Sequence, residues 1–517
     1  LNKKKTIEII GTIVLPAFLL SASFLVPKLF FISWFCLTVW IFNIREKSPG
    51  KSFLISFFIG VVFFTVTMYW ITYTITKYGN LHFLISFLLN ILLASYLALF
   101  FGLFGFVFSW ARKKIGFNYA LMLAPSIWVV VEYLRGHLFT GFPWNLMAYS
   151  QYLFLPIIQI GEFFGPYGLS WLILSFNTAI VYILINKKNP KTFPKMIYPG
   201  VIIIVFICCL IFGSLRIDKY PKDKNISVAL IQGNTDQGTS WTFDDCNRNL
   251  KKHNMMILQA AGENAELAIL SESALRCFGF NRENRFGEIM QRLSTESGLD
   301  VLFSSPTSSS EEIEGRRYFN SAVLLREDGS EPQIYSKVHL VPFGEYLPFR
   351  KILFFVDKFS KGVIGDFDNG EDYTGLILTN GHRFGAGICY EILFPELIRQ
   401  FTEKDAEFLV NITNDTWYGD TPMPYHHFAL SVFRAVENRK FIVRVANSGF
   451  SGIVAPDGRI LKRSQLFSKE IIIYSIHPNS IKTIYSRFGD WFVYLNFAIV
   501  VLIVLILSVK KRSKHWK

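Results

Sequence analysis

Cys389 stands where an apolar, glycine-rich run, RFGAGI, meets the pair Tyr390-Glu391. A cysteine in apolar company usually serves as a small hydrophobe, so its neighbours decide whether it does chemistry. Three other polar groups also stand where a β-branched run stops: Glu272 after LAILS, Lys337 after QIYS, and Asn414-Asp415 after LVNIT. In layered α/β domains ligands are met at strand tips, where rigid elements end and free loops begin. One shared tip would gather all four. A thiol, an ammonium and a carboxylate so gathered form a nucleophilic site: the carboxylate takes the thiol proton and the ammonium steadies the thiolate. The ammonium and a backbone N–H beside the nucleophile then hold the oxyanion of an attacked carbonyl. The chemistry implied is acyl transfer through a thioester.

Each residue also has a plainer reading. Glu272 could cap a helix beginning at Ser273. Lys337 could be a solvated lysine, and Glu345, in HLVPFGEYLPF, could merely solvate a proline-bounded turn. His426-His427 are adjacent rather than four apart, which points to a surface or packing role. No CxxC or His-rich spacing supports a metal site, and no cofactor is expected.

The elements that would position these residues follow from the uneven spread of apolar residues along the 517-residue chain. Eight runs approach the roughly 20 apolar residues that cross a bilayer. Seven fall at 7–26, 28–44, 51–73, 82–111, 121–135, 164–186 and 196–214, and the last begins at Trp491. The opening KKKTIEIIGTIVLPAFLLSAS has the pattern of a secretory signal, but more spans follow at once, so an uncleaved first helix is expected. The division is therefore 1–215 as helices one to seven, 216–490 as a soluble catalytic domain, and 491–517 as helix eight with a tail.

The net charge of +14 does not point to nucleic acid, because its basic clusters flank the spans. Lys3-Lys4-Lys5, Arg45 with Lys47 and Lys51, Arg112-Lys113-Lys114, the lysines of 187–195, and Lys510-Lys511-Arg512 all fall on one side if eight spans are counted. The positive-inside bias makes that side cytoplasmic, with both termini there and 216–490 exported. Export permits disulfides, but Cys246, Cys277 and Cys389 leave at least one thiol unpaired; whether Cys246 and Cys277 pair stays open.

Within the exported part, β-branched runs alternate with helical segments, the pattern of a layered α/β domain. They are 225–232, 266–270, 300–304, 319–325, 383–389, 407–413 and 441–448, followed by a hairpin signal at Asp457-Gly458.

The order Glu272, Lys337 in YSKVHLVPFGEYLP, and Cys389 in GICYE resembles the Glu-Lys-Cys triad of the nitrilase (carbon–nitrogen hydrolase) superfamily, an αββα sandwich. With eight spans, the stretch EYLRGHLFTGFPWNLMAYSQ, the QGN at Gln232 followed by Trp241, and NDTWYG from Asn414, the whole chain is similar to the apolipoprotein N-acyltransferase family of the bacterial inner membrane. The resemblance implies that Cys389 is the acylated nucleophile, Glu272 the general base and Lys337 the stabiliser of the tetrahedral intermediate. It makes Glu345 an aid to the lysine, sets Tyr390 and Glu391 beside the nucleophile, and gives Asn320, in YFNSA, a supporting place. Trp241 and Trp417 match aromatic positions near the substrate entrance, and Arg135 a membrane-face residue that contacts lipid headgroup or supports the site. The implied donor is a membrane phospholipid and the acceptor a diacylated apolipoprotein, reached through an acyl-enzyme in a multi-pass protein with a periplasmic catalytic domain. The stretch LSESAL departs from the family in lacking a proline before the glutamate.

Three expectations concern lipid. The segment from Phe349 to Ile364 mixes aromatic and apolar residues with Arg350, Lys351, Lys358 and Lys361, as a headgroup-level arm would. Glu132 and Arg135, one turn apart near a span end, suggest function or mutual pairing. Trp144, in the loop GFPW, is expected as an interfacial anchor. Two rivals remain: a membrane-tethered amidase using the same triad with water as acceptor, and a non-catalytic scaffold or transporter. Retention of Glu272, Lys337, Glu345 and Cys389 together speaks against the second.

Overall fold

The computed structural model describes residues 9–187, 196–236, 242–275, 279–308, 317–348, 350–351 and 366–513, the last seven as backbone alone. Two compact units emerge, one of Leu1–Tyr73, Leu81–Ile217 and Phe488–Lys517, the other of Thr74–Asn80 with Asp218–Arg487.

The first unit is helical because long apolar runs can satisfy their own backbone polar groups only as helices when water is absent. Six helices are long and apolar enough to cross a membrane: Pro27–Ile44, Pro49–Thr67, Phe83–Ile115, Phe117–His137, Gly161–Asn186 and Ile197–Arg216. The other two expected segments form apolar helices that are shorter among the described residues, Ile10–Leu25 and Trp491–Ile506. Small residues let neighbouring spans approach closely. A Cβ at Gly60 would meet Ala98 Cβ at 2.9 Å, and one at Gly105 would meet Ser56 Oγ at 2.2 Å. Trp40 stacks on Phe101 at 5.3 Å, and its indole donates to Ser56 Oγ at 2.9 Å.

Arg135 and Trp144 fall inside this unit, both only 2 % exposed. Arg135 donates to the carbonyls of Phe142, Trp144 and Asn145 and lies over the Phe64 ring. Glu132 accepts from Met147 N at 2.6 Å. The two charges therefore brace the loop after their helix, whose carbonyls and N–H groups would otherwise be buried unpaired. Trp144 packs against Trp70 and Phe142.

The second unit contains two six-stranded sheets. The first has the order β12-β1-β2-β3-β4-β5 and the second β11-β10-β9-β8-β7-β6. The strands are β1 Ile226–Gln232, β2 Leu267–Leu270, β3 Asp300–Ser308, β4 Tyr318–Leu325, β5 Gln333–Ser336, β6 Leu376–Ile377, β7 Arg383–Ile388, β8 Phe408–Thr413, β9 Ile442–Ala446, β10 Gly452–Val454, β11 Ile460–Arg463 and β12 Glu470–Ile476. The sheets meet face to face, β1 against β9 and β4 against β7. Helices α1 Phe243–Gly262 and α2 Arg285–Ser297 cover the first sheet, and α3 Pro395–Glu403 and α4 Pro422–Asn438 the second. This is the expected αββα sandwich. Strands covered on both faces read as unbroken apolar runs rather than alternating ones, and β8 is buried at every position. β12, antiparallel to β1, stands outside the expected runs because IIIY follows directly on charged, turn-forming residues.

The positions of the chemistry follow from topology. β1, β2 and β3 run parallel, as do β7, β8 and β9. The residues after β2, β7 and β8 therefore emerge at the same kind of strand end, and β5 delivers Lys337 alongside them.

Candidate active site

Each strand end points one reactive group inward. Glu272 follows β2 in a turn rather than in a helix, so it caps nothing; Ser273 beside it takes a left-handed φ of 56°. Its carboxylate lies close enough to Cys389 for the two groups to shift each other's titration. Asn320, on β4, holds the two carboxylates together: its Nδ2 donates to Glu272 Oε1 at 3.0 Å and to Glu345 Oε1 at 2.7 Å. Lys337 is 1 % exposed and pairs with Glu345 Oε2 at 2.8 Å, with Glu272 Oε1 at 3.8 Å. Glu345 Oε2 also accepts from Val341 N at 2.7 Å, which ties the turn to the site. Glu345 thus organises the lysine instead of solvating a loop.

Burial fixes the protonation states. Burial raises the Glu272 pKa above the ordinary carboxylate range, opposed by Lys337 and reinforced by Glu345. Burial works against the Lys337 ammonium, yet Glu345 and Glu272 outweigh it and hold its pKa above that of a free lysine. Cys389 is raised by burial and then by Glu272, against the pull of Lys337, so the resting sulfur is a thiol. A thiol beside a carboxylate of enhanced basicity can give up its proton as it attacks, and a fixed ammonium can stabilise both thiolate and oxyanion.

Cys389 adopts a φ of 50° immediately after β7, a left-handed conformation that non-glycine residues take only when their surroundings enforce it. Glu391 is one enforcer. Its Oε2 accepts from Ile388 N at 2.7 Å, and its Oε1 from Tyr335 Oη, Val338 N and His339 N at 2.8, 2.8 and 3.1 Å. One carboxylate thereby joins the strand end bearing the nucleophile to the one bearing the lysine. Tyr390 turns the other way, its ring 5.2 Å from Phe394 and 5.7 Å from His339.

Trp417 sits in a short turn after β8, outside the triad. Its carbonyl accepts from Thr74 Oγ1 at 3.1 Å and its ring meets Tyr78 edge-on at 5.0 Å. Trp241 and Cys277 lie outside the described residues, as does the segment Phe349 to Ile364 apart from Arg350 and Lys351. Cys246 is disulfide-bonded. The group that sequence reasoning missed is His427. It is 1 % exposed, with Nδ1 2.9 Å from Asp415 Oδ1 and Nε2 3.3 Å from the Cys389 carbonyl. Its spacing of 12 from Asp415 carries no helical or strand period, so only the packing of α4 on the second sheet reveals it.

Two helix-covered sheets with a Glu-Lys-Cys cluster across their strand ends place this unit in the carbon–nitrogen hydrolase class, and the model of that family, Carbon-nitrogen hydrolase, matches residues 227–485. The model of the Apolipoprotein N-acyltransferase N-terminal domain matches residues 16–179. Apolipoprotein N-acyltransferase from Geobacter metallireducens is 34 % identical over 506 residues, covering 97 % of this chain and 95 % of that relative. The Haemophilus ducreyi protein of the same name is 30 % identical, covering 93 % and 92 %. The chain belongs to the apolipoprotein N-acyltransferase family and is a multi-pass membrane protein. Among solved structures, Saccharomyces cerevisiae Nit3 of the nitrilase superfamily aligns with 49 % of this chain and 90 % of its own, at 21 % identity and a TM-score of 0.39.

Proposed function

We propose that this apolipoprotein N-acyltransferase takes an acyl chain from a membrane phospholipid onto Cys389 and delivers it to the α-amine of a diacylglyceryl-cysteine at a lipoprotein N-terminus. In the first half-reaction Cys389 Sγ attacks the ester carbonyl while its proton passes to Glu272. The tetrahedral oxyanion forms beside Lys337. The C–O bond then breaks, and the departing lysophospholipid oxygen takes the proton from Glu272. In the second half the amine attacks the thioester and gives a proton to Glu272; the C–S bond breaks and the thiolate recovers that proton. A thioester is the fitting intermediate, because an amine displaces a thiolate more readily than an alkoxide.

The observation that carries this reading is the joining of Glu272, Lys337 and Cys389 in one buried cluster within a chain whose full length matches the family. A catalytic domain at 216–490, bounded by a helix at either end, meets both lipids by lateral diffusion. The positive-inside bias supports cytoplasmic termini and a periplasmic catalytic domain in a bacterial inner membrane. Trp241 and Trp417 are assigned to the substrate entrance on the resemblance alone.

Incubation with phospholipid and no acceptor, followed by intact-mass analysis, tests the reading. The expected product is one acyl adduct that maps to Cys389, vanishes in Cys389→Ala and is discharged by a diacylated lipopeptide. Free fatty acid released while lipopeptide is in excess identifies a hydrolase instead.

A further inference from the structure

Beneath the nucleophile lies a polar assembly for which the triad has no use. Arg444 on β9, Asp415 after β8, His427 on α4 and Asn411 on β8 are all 1 % exposed or less. Arg444 Nη2 donates to Asp415 Oδ2 at 2.9 Å and lies 3.0 Å from His427 Nδ1, while its Nη1 bonds Asn411 Oδ1. Burial opposes the Asp415 charge, but Arg444 and His427 overcome it and bring its pKa down to about 2. The His427 pKa is depressed, first by burial and then by Arg444, with Asp415 acting against them. A carbonyl oxygen only accepts, so His427 bonds the Cys389 carbonyl through a proton on Nε2, while Nδ1 sits between Asp415 Oδ1 at 2.9 Å and the Arg444 donor at 3.0 Å.

Both arms of this assembly end on one atom. His427 Nε2 reaches the Cys389 carbonyl at 3.3 Å and Asn411 Nδ2 reaches it at 3.4 Å, Asn411 also donating to the Gly387 carbonyl at 3.1 Å. Every peptide bond among the described residues is trans, and in a trans peptide the C=O and the following N–H point in opposite directions. Whatever holds the Cys389 oxygen thereby aims the Tyr390 N–H away from His427. The Cys389–Tyr390 peptide opens a short 3-10 turn, Cys389–Leu393, and these two side-chain donors add to the hold that turn has on its carbonyl.

We propose that His427, together with Asn411, is a positioning residue that aims the Tyr390 backbone N–H as the second oxyanion donor, opposite the Lys337 ammonium. The proposal rests on the acyl-transfer reading of Cys389. It assigns the buried charges a task distinct from making the thiolate: they hold a dipole in place for the tetrahedral state.

Two reactions of the same sulfur separate these tasks in the full-length protein. Acylation by p-nitrophenyl butyrate passes through an oxyanion; alkylation by iodoacetamide displaces iodide and does not. Both are followed at Cys389 by peptide mass. His427→Leu, which removes the donor, is expected to slow acylation by about 10- to 100-fold, somewhat less than outright loss of an oxyanion donor, with alkylation within about twofold of the unmodified protein. His427→Gln places an amide N–H where Nε2 stands and is expected to restore most of the acylation rate. Should His427→Leu fail to fold, His427→Asn, whose amide stops short at the Nδ1 position, takes its place with the same expectation. Equal slowing of both reactions, unchanged acylation, or a glutamine variant no better than the donor-free one overturns the proposal. If p-nitrophenyl butyrate acylates Cys389 but phospholipid does not, the donor assignment falls and this inference is judged on the ester alone.

Discussion

Lys337 Nζ lies 2.8 Å from Glu345 Oε2, a full ångström closer than to the carboxylate of Glu272. The glutamate that holds the lysine is thus not the one facing the sulfur, and the division leaves Glu272 free to move a proton without losing the ammonium. Glu345→Gln removes the nearer charge and leaves Glu272 as the principal anion for Lys337, drawing the ammonium off its place. Misplacing a catalytic group by about 1 Å can slow a reaction by about 10²-fold. Acyl-enzyme formation in this variant is expected to slow by that order, read as the rate of adduct appearance by intact mass. A rate within twofold of the unmodified protein would show that Glu345 is mere loop solvation after all.

The raised pKa of Glu272 fixes the sign of the acid limb. Acylation needs the carboxylate, so its rate falls as pH drops through the folded-state pKa of Glu272, which stands above the ordinary value of about 4.3. Glu272→Gln should lose about 10²- to 10⁴-fold in acylation, the usual contribution of a positioned base, and the limb should go with it. Single-turnover rates from pH 4 to pH 8 decide the matter; an identical acid limb in the glutamine variant would move the base elsewhere.

What could be read ahead of the structure was the apolar patterning and the strand-end chemistry. Both depend on short-range regularity. Apolar runs of bilayer length announce helices, and Glu272, Lys337 and Cys389 each terminate a β-branched run. Arg135 and Trp144 were legible as unusual but not in their surroundings, because a charged or amphipathic residue near a span end looks the same whether it faces lipid or a neighbouring loop. His427 was illegible for a different reason. Its partners Asp415, Arg444 and the Cys389 carbonyl come from three separate elements, and only the packing of α4 on the second sheet brings them within 3.3 Å. β12 failed to register because it is recruited by its neighbour β1 rather than by its own flanking turns.

Glu391 gives a stability test. Burial raises its pKa to about 7, although the hydrogen bonds from Ile388, His339 and Tyr335 oppose the shift. In the unfolded chain a glutamate titrates near 4.3, so between the two values the folded protein binds the proton more tightly. Its contribution to stability is therefore complete below about pH 4.3 and is lost as pH rises through about 7. Glu391→Gln does not titrate. The melting temperature of the unmodified protein should exceed that of the variant by most near pH 4, with the gap narrowing by pH 8. A gap that widens with pH would mean that the four donors stabilise the carboxylate more than burial penalises it.

Arg135 separates lipid recognition from internal bracing. Its guanidinium supplies the carbonyls of Phe142, Trp144 and Asn145 from a position only 2 % exposed, so little of it faces a headgroup. Lysine is a compact donor without the planar fork that can serve several acceptors at once. Arg135→Lys should therefore leave part of the loop unsatisfied, at roughly 1–3 kcal/mol for each buried acceptor stranded, and Arg135→Ala should strand all three. The expected result is a graded fall in detergent melting temperature and in folded yield, alanine below lysine, with an unchanged KM for phospholipid in the fraction that folds. A headgroup contact predicts the reverse, a raised KM at unaltered melting temperature, and only that outcome would return Arg135 to the substrate.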